Sequence, residues 1–368
     1  MALLGFTGFN DLGYYSPTTE AGRLSAYCNY KFGINPIDNA SNIVYFNKSP
    51  SGLTSRTQYG LGLISGGTGT SEYSVIYMNM TTLLLTSSAP VGTTLTFGCR
   101  ATSIGTTVQV IPFLANNINA SSANLTNLGG VNAPLATGGT SVYLEVQLKK
   151  TSATEISAKR RVNGAAATTV TVNQTYNNTL FVGMSGQLQQ VASGSGIYLT
   201  DVYLALNTTG SDEWVGPLTV ARSLPLNVAD MGSLTPANMS QTSLDTIIGD
   251  NAKITTAASD TATSDSDPTA STALLSSEPL VLNQDQSSTI NTSGIDVVGV
   301  SAGVWGKTVD ASQTPYMTAT IKDLNGNQLA SYARPGGATT IYFCSTATVD
   351  LQNSDLDPGS LVFEFKNT

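Results

Sequence analysis

The chain has 368 residues, of which 11% are charged and 40% hydrophobic, and its formal net charge is −8. That balance excludes non-specific nucleic-acid binding through phosphate neutralisation. It also excludes a disordered chain, which needs low hydrophobicity and high net charge.

Thr, Ser, Asn and Gly fill the polar positions, as in a β-rich protein with many turns and a neutral surface. The length suits two domains. Cys28, Cys99 and Cys344 are widely spaced with no Cys-x-x-Cys, which argues against a disulfide framework or a zinc site. They read as small buried hydrophobes made in a reducing compartment. The N-terminal MALLGFTGFNDLG has no basic region or long apolar run, so no signal peptide is expected. No stretch approaches the ~20 apolar residues of a membrane span. A soluble protein with no membrane partner is expected.

In chain order, residues 2–9 read as a short strand. Tyr14 and Tyr15 follow in a turn-rich stretch, where they could cap an open sheet edge. Residues 23–32 and 43–46 are strand candidates separated by a loop over 33–41. Residues 58–64, 72–80, 82–85, 94–99 and 107–114 follow at the spacing of a sandwich or barrel. Residues 116–139 read as a long surface loop with at most one short strand. Val142, Leu144, Val146 and Leu148 alternate with Tyr143, Glu145, Gln147 and Lys149, the period of a strand with one buried face. The strand at 156–162 ends in Asn163-Gly164, which predicts a type I′ turn. Lys149, Lys150, Lys159, Arg160 and Arg161 read as a hairpin's solvated face, or as a contact with an acidic partner subunit.

At 196–227, Val202, Leu204 and Leu206 alternate with Asp201, Tyr203 and Ala205. The polar loop 207–212 follows, and then an apolar run over 214–220, read as a second strand leaving the domain. No sustained 3.6-residue period occurs before residue 222. The expected fold is all-β: an antiparallel jelly-roll β-sandwich over 1–225, an extended acidic connector over 226–273 and a small C-terminal β domain over 274–368. Leu244, Ile247 and Ile248 are sparse apolar anchors in the connector. In the last domain, Asn325-Gly326-Asn327 predicts a hairpin, and LVFEFK at 361–366 a strand paired within the sheet.

The chain has no histidine, which removes His-based triads, His general bases and the commonest metal ligand. A two-carboxylate glycosidase needs acids facing one another across a groove. Asp212 and Glu213 are adjacent and, if extended, point to opposite faces. Glu145 and Glu155 flank a hairpin with Lys149 and Lys150 and suit surface ion pairs. Residues 66–70 are glycine-rich but lack the lysine of a P-loop. Asp323, Asn325 and Asn327 have the spacing of calcium-loop oxygens, but position 12 of such a loop is Arg334, so a hairpin explains them. Asp201, Asn207 and Asp212 remain as candidates for a calcium of the lectin kind; no other cofactor is expected. Tyr14, Tyr15, Trp214, Leu244, Ile247 and Ile248 are the candidate interface residues.

Several short motifs carry a family resemblance. They are Gly5-Phe6-Thr7-Gly8-Phe9-Asn10, Val142-Tyr143-Leu144-Glu145-Val146, Arg161-Val162-Asn163-Gly164, Asp201-Val202-Tyr203-Leu204, the loop 207–210, and Trp214-Val215-Gly216-Pro217-Leu218. In this order they resemble tailed-bacteriophage virion proteins with an N-terminal concanavalin/laminin-G-like jelly-roll domain. Asn10 and Pro217 stand where that family has acids, and Thr200-Asp201 replaces an acidic pair, which weakens transfer of a calcium site. The resemblance implies a non-enzymatic structural component of the virion, in the neck or collar, tail or fibres, synthesised in the host cytoplasm. The expected partners are other virion proteins and further copies of the chain, as a trimer or ring. A lectin-like module for host-surface glycan is the alternative, followed by a glycan hydrolase or a capsid decoration protein.

Overall fold

A computed structural model describes residues 1–8, 36–38, 43–46, 60–64, 72–115, 125–135, 141–172, 176, 180–188, 195–220, 227–230, 280–283, 297–307, 316–335, 341–352, 356 and 361–367. Residues Met1–Val220 and Ala221–Thr368 form two compact units.

The first unit contains β1 (Ala2–Thr7), β2 (Pro36–Asp38), β3 (Ile43–Phe46), β4 (Gly60–Ile64) and β5 (Glu72–Asn79). A single-turn helix α1 (Thr81–Leu84) leads to β6 (Thr94–Ile104), β7 (Val108–Ala115), β8 (Leu125–Asn127) and β9 (Val131–Ala133). Next come β10 (Val142–Lys150), β11 (Ile156–Val162), β12 (Thr168–Val170), β13 (Phe181–Leu188) and β14 (Gly196–Asn207). One sheet has eight strands in the order β12-β11-β10-β6-β14-β4-β3, with β1 also against β14. The other has six, in the order β2-β5-β13-β7-β8, with β9 on β7.

All named strand pairs are antiparallel, and the chain changes sheet at β1–β2, β2–β3, β4–β5, β5–β6, β6–β7, β9–β10, β12–β13 and β13–β14. The unit is therefore an all-β, jelly-roll-like sandwich. Its core takes Leu95, Phe97, Leu144, Val146, Leu148, Ile197 and Leu204 from the first sheet and Val110, Leu114 and Val182 from the second, all buried. Burying each large apolar side chain of this kind contributes about 1.5–3 kcal/mol.

Three local features depart from the sequence reading. Residues 82–85 do not form a strand, because Thr81–Leu84 turn helically and bury Met80 and Leu84 together. A four-residue spacing puts those two side chains on one face, and so short a run has no period to separate helix from strand. The loop expected at 33–41 contains β2, and the one expected at 116–139 contains both β8 and β9. Those two strands leave a gap beside β7 at Pro112. A proline there, without an N–H, forfeits no ladder bond.

Asn163-Gly164 behaves as expected. Both residues have positive φ, 50° and 73°, and the Ala165 N–H donates to the Val162 carbonyl at 3.0 Å. Cys99 is buried, as read. The strand candidate at 23–32 and the glycine-rich 66–70 lie outside the described residues.

The second unit contains β15 (Asn227–Asp230), β16 (Leu280–Asn283), β17 (Gly299–Val300), β18 (Gly303–Lys307) and β19 (Tyr316–Lys322). It continues with β20 (Gln328–Pro335), β21 (Ile341–Ser345), β22 (Val349–Asp350) and β23 (Val362–Asn367). The main sheet runs β15-β16-β23-β19-β20, so the C-terminal strand is central. β15 brings the first residues of the expected connector into this sheet. The rest of that stretch lies outside the described residues. At the β19–β20 turn, Asp323 accepts from the N–H groups of Asn325 at 2.9 Å and Asn327 at 2.8 Å. Its other oxygen accepts from Asn327 Nδ2 at 2.8 Å, so the carboxylate closes a turn, as the hairpin reading requires.

Candidate functional site

The polar side chains of the first unit gather on the outer face of the eight-stranded sheet. The sequence suggests a solvated face there. However, β10 is buried on both faces, with Tyr143, Glu145 and Gln147 at 1%, 0% and 1% exposure. The cover is the segment 213–220, which forms no strand. It lies across the sheet as a strap, and the side chains beneath it hold its backbone.

Glu145 is the centre. It faces Arg161 across the β10–β11 register, and Arg161 grips it with two nitrogens: Nε on Oε2, and Nη2 on Oε1 at 3.0 Å. The Tyr203 hydroxyl donates to Oε1 at 2.5 Å, and the Gly216 N–H of the strap donates to the same oxygen at 3.0 Å. A buried carboxylate is tolerable only with such complete pairing. Trp214 closes the edge with its ring 4.7 Å from the Arg161 guanidinium, within cation–π range. Gln147 donates from Nε2 to the Glu213 carbonyl at 2.8 Å.

A second fastening lies on β14. Two residues, Asp201 and Val202, bulge between Thr200 and Tyr203 against one residue of β6. Asp201 has φ 49°, the left-handed region usually taken by glycine. The bulge puts Asp201 and Tyr203 on the strap side and leaves both buried. Asp201 accepts from Arg100 Nε at 2.6 Å and from the Val220 N–H at 2.9 Å. Arg100 also donates to Ser141 Oγ at 2.9 Å and to the Leu218 carbonyl at 3.1 Å. Burial pushes the Asp201 carboxyl above the usual range, against the pull of the Val220 N–H and of Arg100.

Two tyrosines fill the space between the fastenings. The Tyr143 hydroxyl donates to the Asp201 carbonyl at 3.0 Å. Burial, reinforced by nearby acids, raises the hydroxyl pKa of Tyr143 and of Tyr203. Both rings lie over Gly98, where an added Cβ would sit 2.3 Å from the Tyr203 ring and 3.1 Å from that of Tyr143. Asn163 ties the hairpin in, donating from N to the Tyr143 carbonyl and accepting from the Tyr143 N–H, each at 2.8 Å.

Several sequence expectations change here. Glu145 is no surface acid, because the strap covers it. Lys150 is not solvated either: at 5% exposure it donates to the carbonyls of Thr86 at 2.9 Å and Ala89 at 2.8 Å. Trp214–Val220 is a strap rather than a strand, and Trp214, half-buried on Arg161, is already engaged within the chain.

The calcium candidates have separate partners. Asp201 holds Arg100, Asn207 orders its own loop through Thr209 and Ser211, and Asp212 pairs with Lys159. Along a strand rising about 3.3 Å per residue, Asp201 and Asn207 stand about 20 Å apart. Among the described residues no group of three or more His, Cys, Asp or Glu could hold a metal ion. Tyr14, Tyr15, Leu244, Ile247 and Ile248 lie outside the described residues. Arg100, Gln147 and Gly98 escape the sequence reading. The one signal for them is Gly98 itself, a glycine inside a strand, which marks close approach by something above it.

The strand topology defines the fold class as an all-β, jelly-roll-like antiparallel sandwich, and solved carbohydrate-binding and lyase domains are distantly similar to it. One similar solved structure is the CBM22-1 xylan-binding domain of Paenibacillus barcinonensis Xyn10C, with 7% identity, 55% of this chain and 94% of that one covered, and TM-score 0.31. Another is an alginate lyase Aly36B mutant in complex with alginate trisaccharide, with 14% identity, 55% and 98% covered, and TM-score 0.32. A third is the metal-free carbohydrate recognition domain of Emp46p, with 11% identity, 52% and 95% covered, and TM-score 0.29. At these values the likenesses carry no argument about ligand or activity. No family model and no curated protein matches the chain.

Proposed function

We propose that the chain is a non-enzymatic structural component of a tailed-phage virion, acting through contacts between subunits. What supports this is the meeting of the motif segments that carry the resemblance. Gly5, Phe6 and Thr7 pair with Leu204, Tyr203 and Val202. Glu145 holds Arg161, Tyr203 and Gly216, and Asn163 holds Tyr143. Segments scattered over the first unit thus form one fastening, as expected of a shared structural device.

The same fastening weighs against a hydrolase. Glu145 and Asp201 are each occupied by a guanidinium and a strap N–H at 0% and 1% exposure. Neither can reach a glycosidic oxygen while the strap is seated.

The test is the mass of the purified chain in solution, by sedimentation or light scattering, beside a glycan array. The expected result is a stable oligomer with no glycan retained. A monomer that retains a glycan replaces this reading with the host-glycan module. Sugar binding is described for the fold-level neighbours, and it does not carry over from them.

A further inference from the structure

The strap is gripped by its backbone. Gln147 donates to the Glu213 carbonyl and Arg100 to the Leu218 carbonyl, while Glu145 and Asp201 accept from the N–H groups of Gly216 and Val220. The strap's own side chains add Trp214 over Arg161 and Glu213 on the Met1 amino group. Main-chain grips of this kind give affinity for an extended segment, and a pocketed side chain fixes its register. The outer face of the sheet is thus a site for an extended peptide, and this chain's own strap fills it. The loop 208–212 leads into the strap without forming a strand. Lys149 on the Gly210 carbonyl and the exposed Lys159–Asp212 pair tie that loop to the sheet. The first unit ends at Val220, directly after the strap. Lifting the strap therefore breaks no strand pair.

We infer that copies of the chain associate by exchanging straps, with residues 213–220 of one copy seated on the Arg100, Glu145 and Asp201 face of the next. The inference rests on the assembly reading and names its interface. Every bond made within one chain is remade between chains, because the partners are the same residues. The face does not stay bare: Glu145 and Asp201 are 0% and 1% exposed, and each loses a partner when the strap leaves. A departing strap is therefore replaced, and an identical strap fits. Fully extended, the loop 208–212 reaches about 17 Å, more than three strand spacings. Close packing of copies raises the local concentration of neighbouring straps until exchange competes with self-seating. Each copy gives one strap and takes one, so a closed dimer, trimer or ring leaves no face empty.

The experiment uses Gly164 and Pro217 as reporters. A Cβ on Gly164 would lie 3.5 Å from the Pro217 ring, so cysteines at the two positions meet when a strap is seated. The single variants G164C and P217C are mixed while dilute, concentrated, oxidised and peptide-mapped. A 164–217 disulfide in that mixture joins two different chains, and it is the expected product. A second readout needs no cysteine. A synthetic peptide of residues 207–220, in excess, should lower the sedimenting mass of the wild-type oligomer to that of a single chain. The same peptide carrying Trp214→Ala and Gly216→Pro should leave the mass unchanged. Either the link or the fall in mass upholds the exchange. An oligomer that forms no such link and keeps its mass with the peptide overturns strap exchange and leaves the assembly reading standing. A wild-type chain that stays monomeric across the concentration series overturns both.

Discussion

Glu145–Arg161 in the first unit and Lys322–Glu364 in the second are both ion pairs between neighbouring strands, yet they live in different solvents. The first pair is 0% and 15% exposed and sits under the strap. The second is 18% and 30% exposed at the Glu364 and Lys322 side chains, joined at 2.8 Å. Both begin as a charged residue in a strand, and the difference lies in what covers them. Desolvation makes the first pair an obligation, because either partner left alone is a buried charge. Water screens the second and offers each partner a substitute for the other.

The comparison breaks most sharply at Glu145. Glu145→Ala strands Arg161, the Tyr203 hydroxyl and the Gly216 N–H together, and should cost about 3–5 kcal/mol in denaturant unfolding. A loss below 1 kcal/mol would mean that water reaches this layer. Gly98→Ala tests the sheet floor beneath the layer, since its Cβ collides with the Tyr203 ring. Overpacking of this kind costs about 1–3 kcal/mol, read in the same titration.

Alkaline pH sharpens the picture from another side. Burial pushes the Cys99 thiol up to about 12 from 9.0 and raises the hydroxyls of Tyr143, Tyr198 and Tyr203 as well. These groups stay protonated when folded and ionise when unfolded, so stability falls as pH rises through their unfolded pKa values. Cys99 alone accounts for a loss on the order of 1 kcal/mol at pH 10, one unit above its unfolded value. A folding free energy flat from pH 8 to 10.5 would contradict this burial. The smallest effect belongs to Lys322→Ala, at under about 1 kcal/mol and diminished further by added salt.

Features that live in the chain's own neighbourhood were legible in the sequence. The alternation of β10, the positive-φ turn at Asn163-Gly164 and the Asp323 turn each depend on a few consecutive residues. What was hidden depends on distant cover. Alternation marks one face of β10 as buried but cannot say that residues 213–220 return to bury the other. The strap has no strand period because side chains, not a ladder, hold its backbone. The Asp201 bulge was equally hidden, since an aspartate in left-handed conformation costs little and leaves no glycine to announce it. The short turn α1 fell between two periods, too brief for either.

The way the strap is fastened also sets how the molecule bears load. The boundary between the units falls directly after Val220, so tension transmitted from the second unit meets the Val220–Asp201 bond first. Leu218–Arg100, Gly216–Glu145 and Glu213–Gln147 follow one at a time along the strap. Bonds loaded in succession give way one at a time, each at low force. Single-molecule extension should therefore show a small early step of about eight residues before the first unit ruptures, with the strap serving as a mechanical fuse for the sandwich it covers.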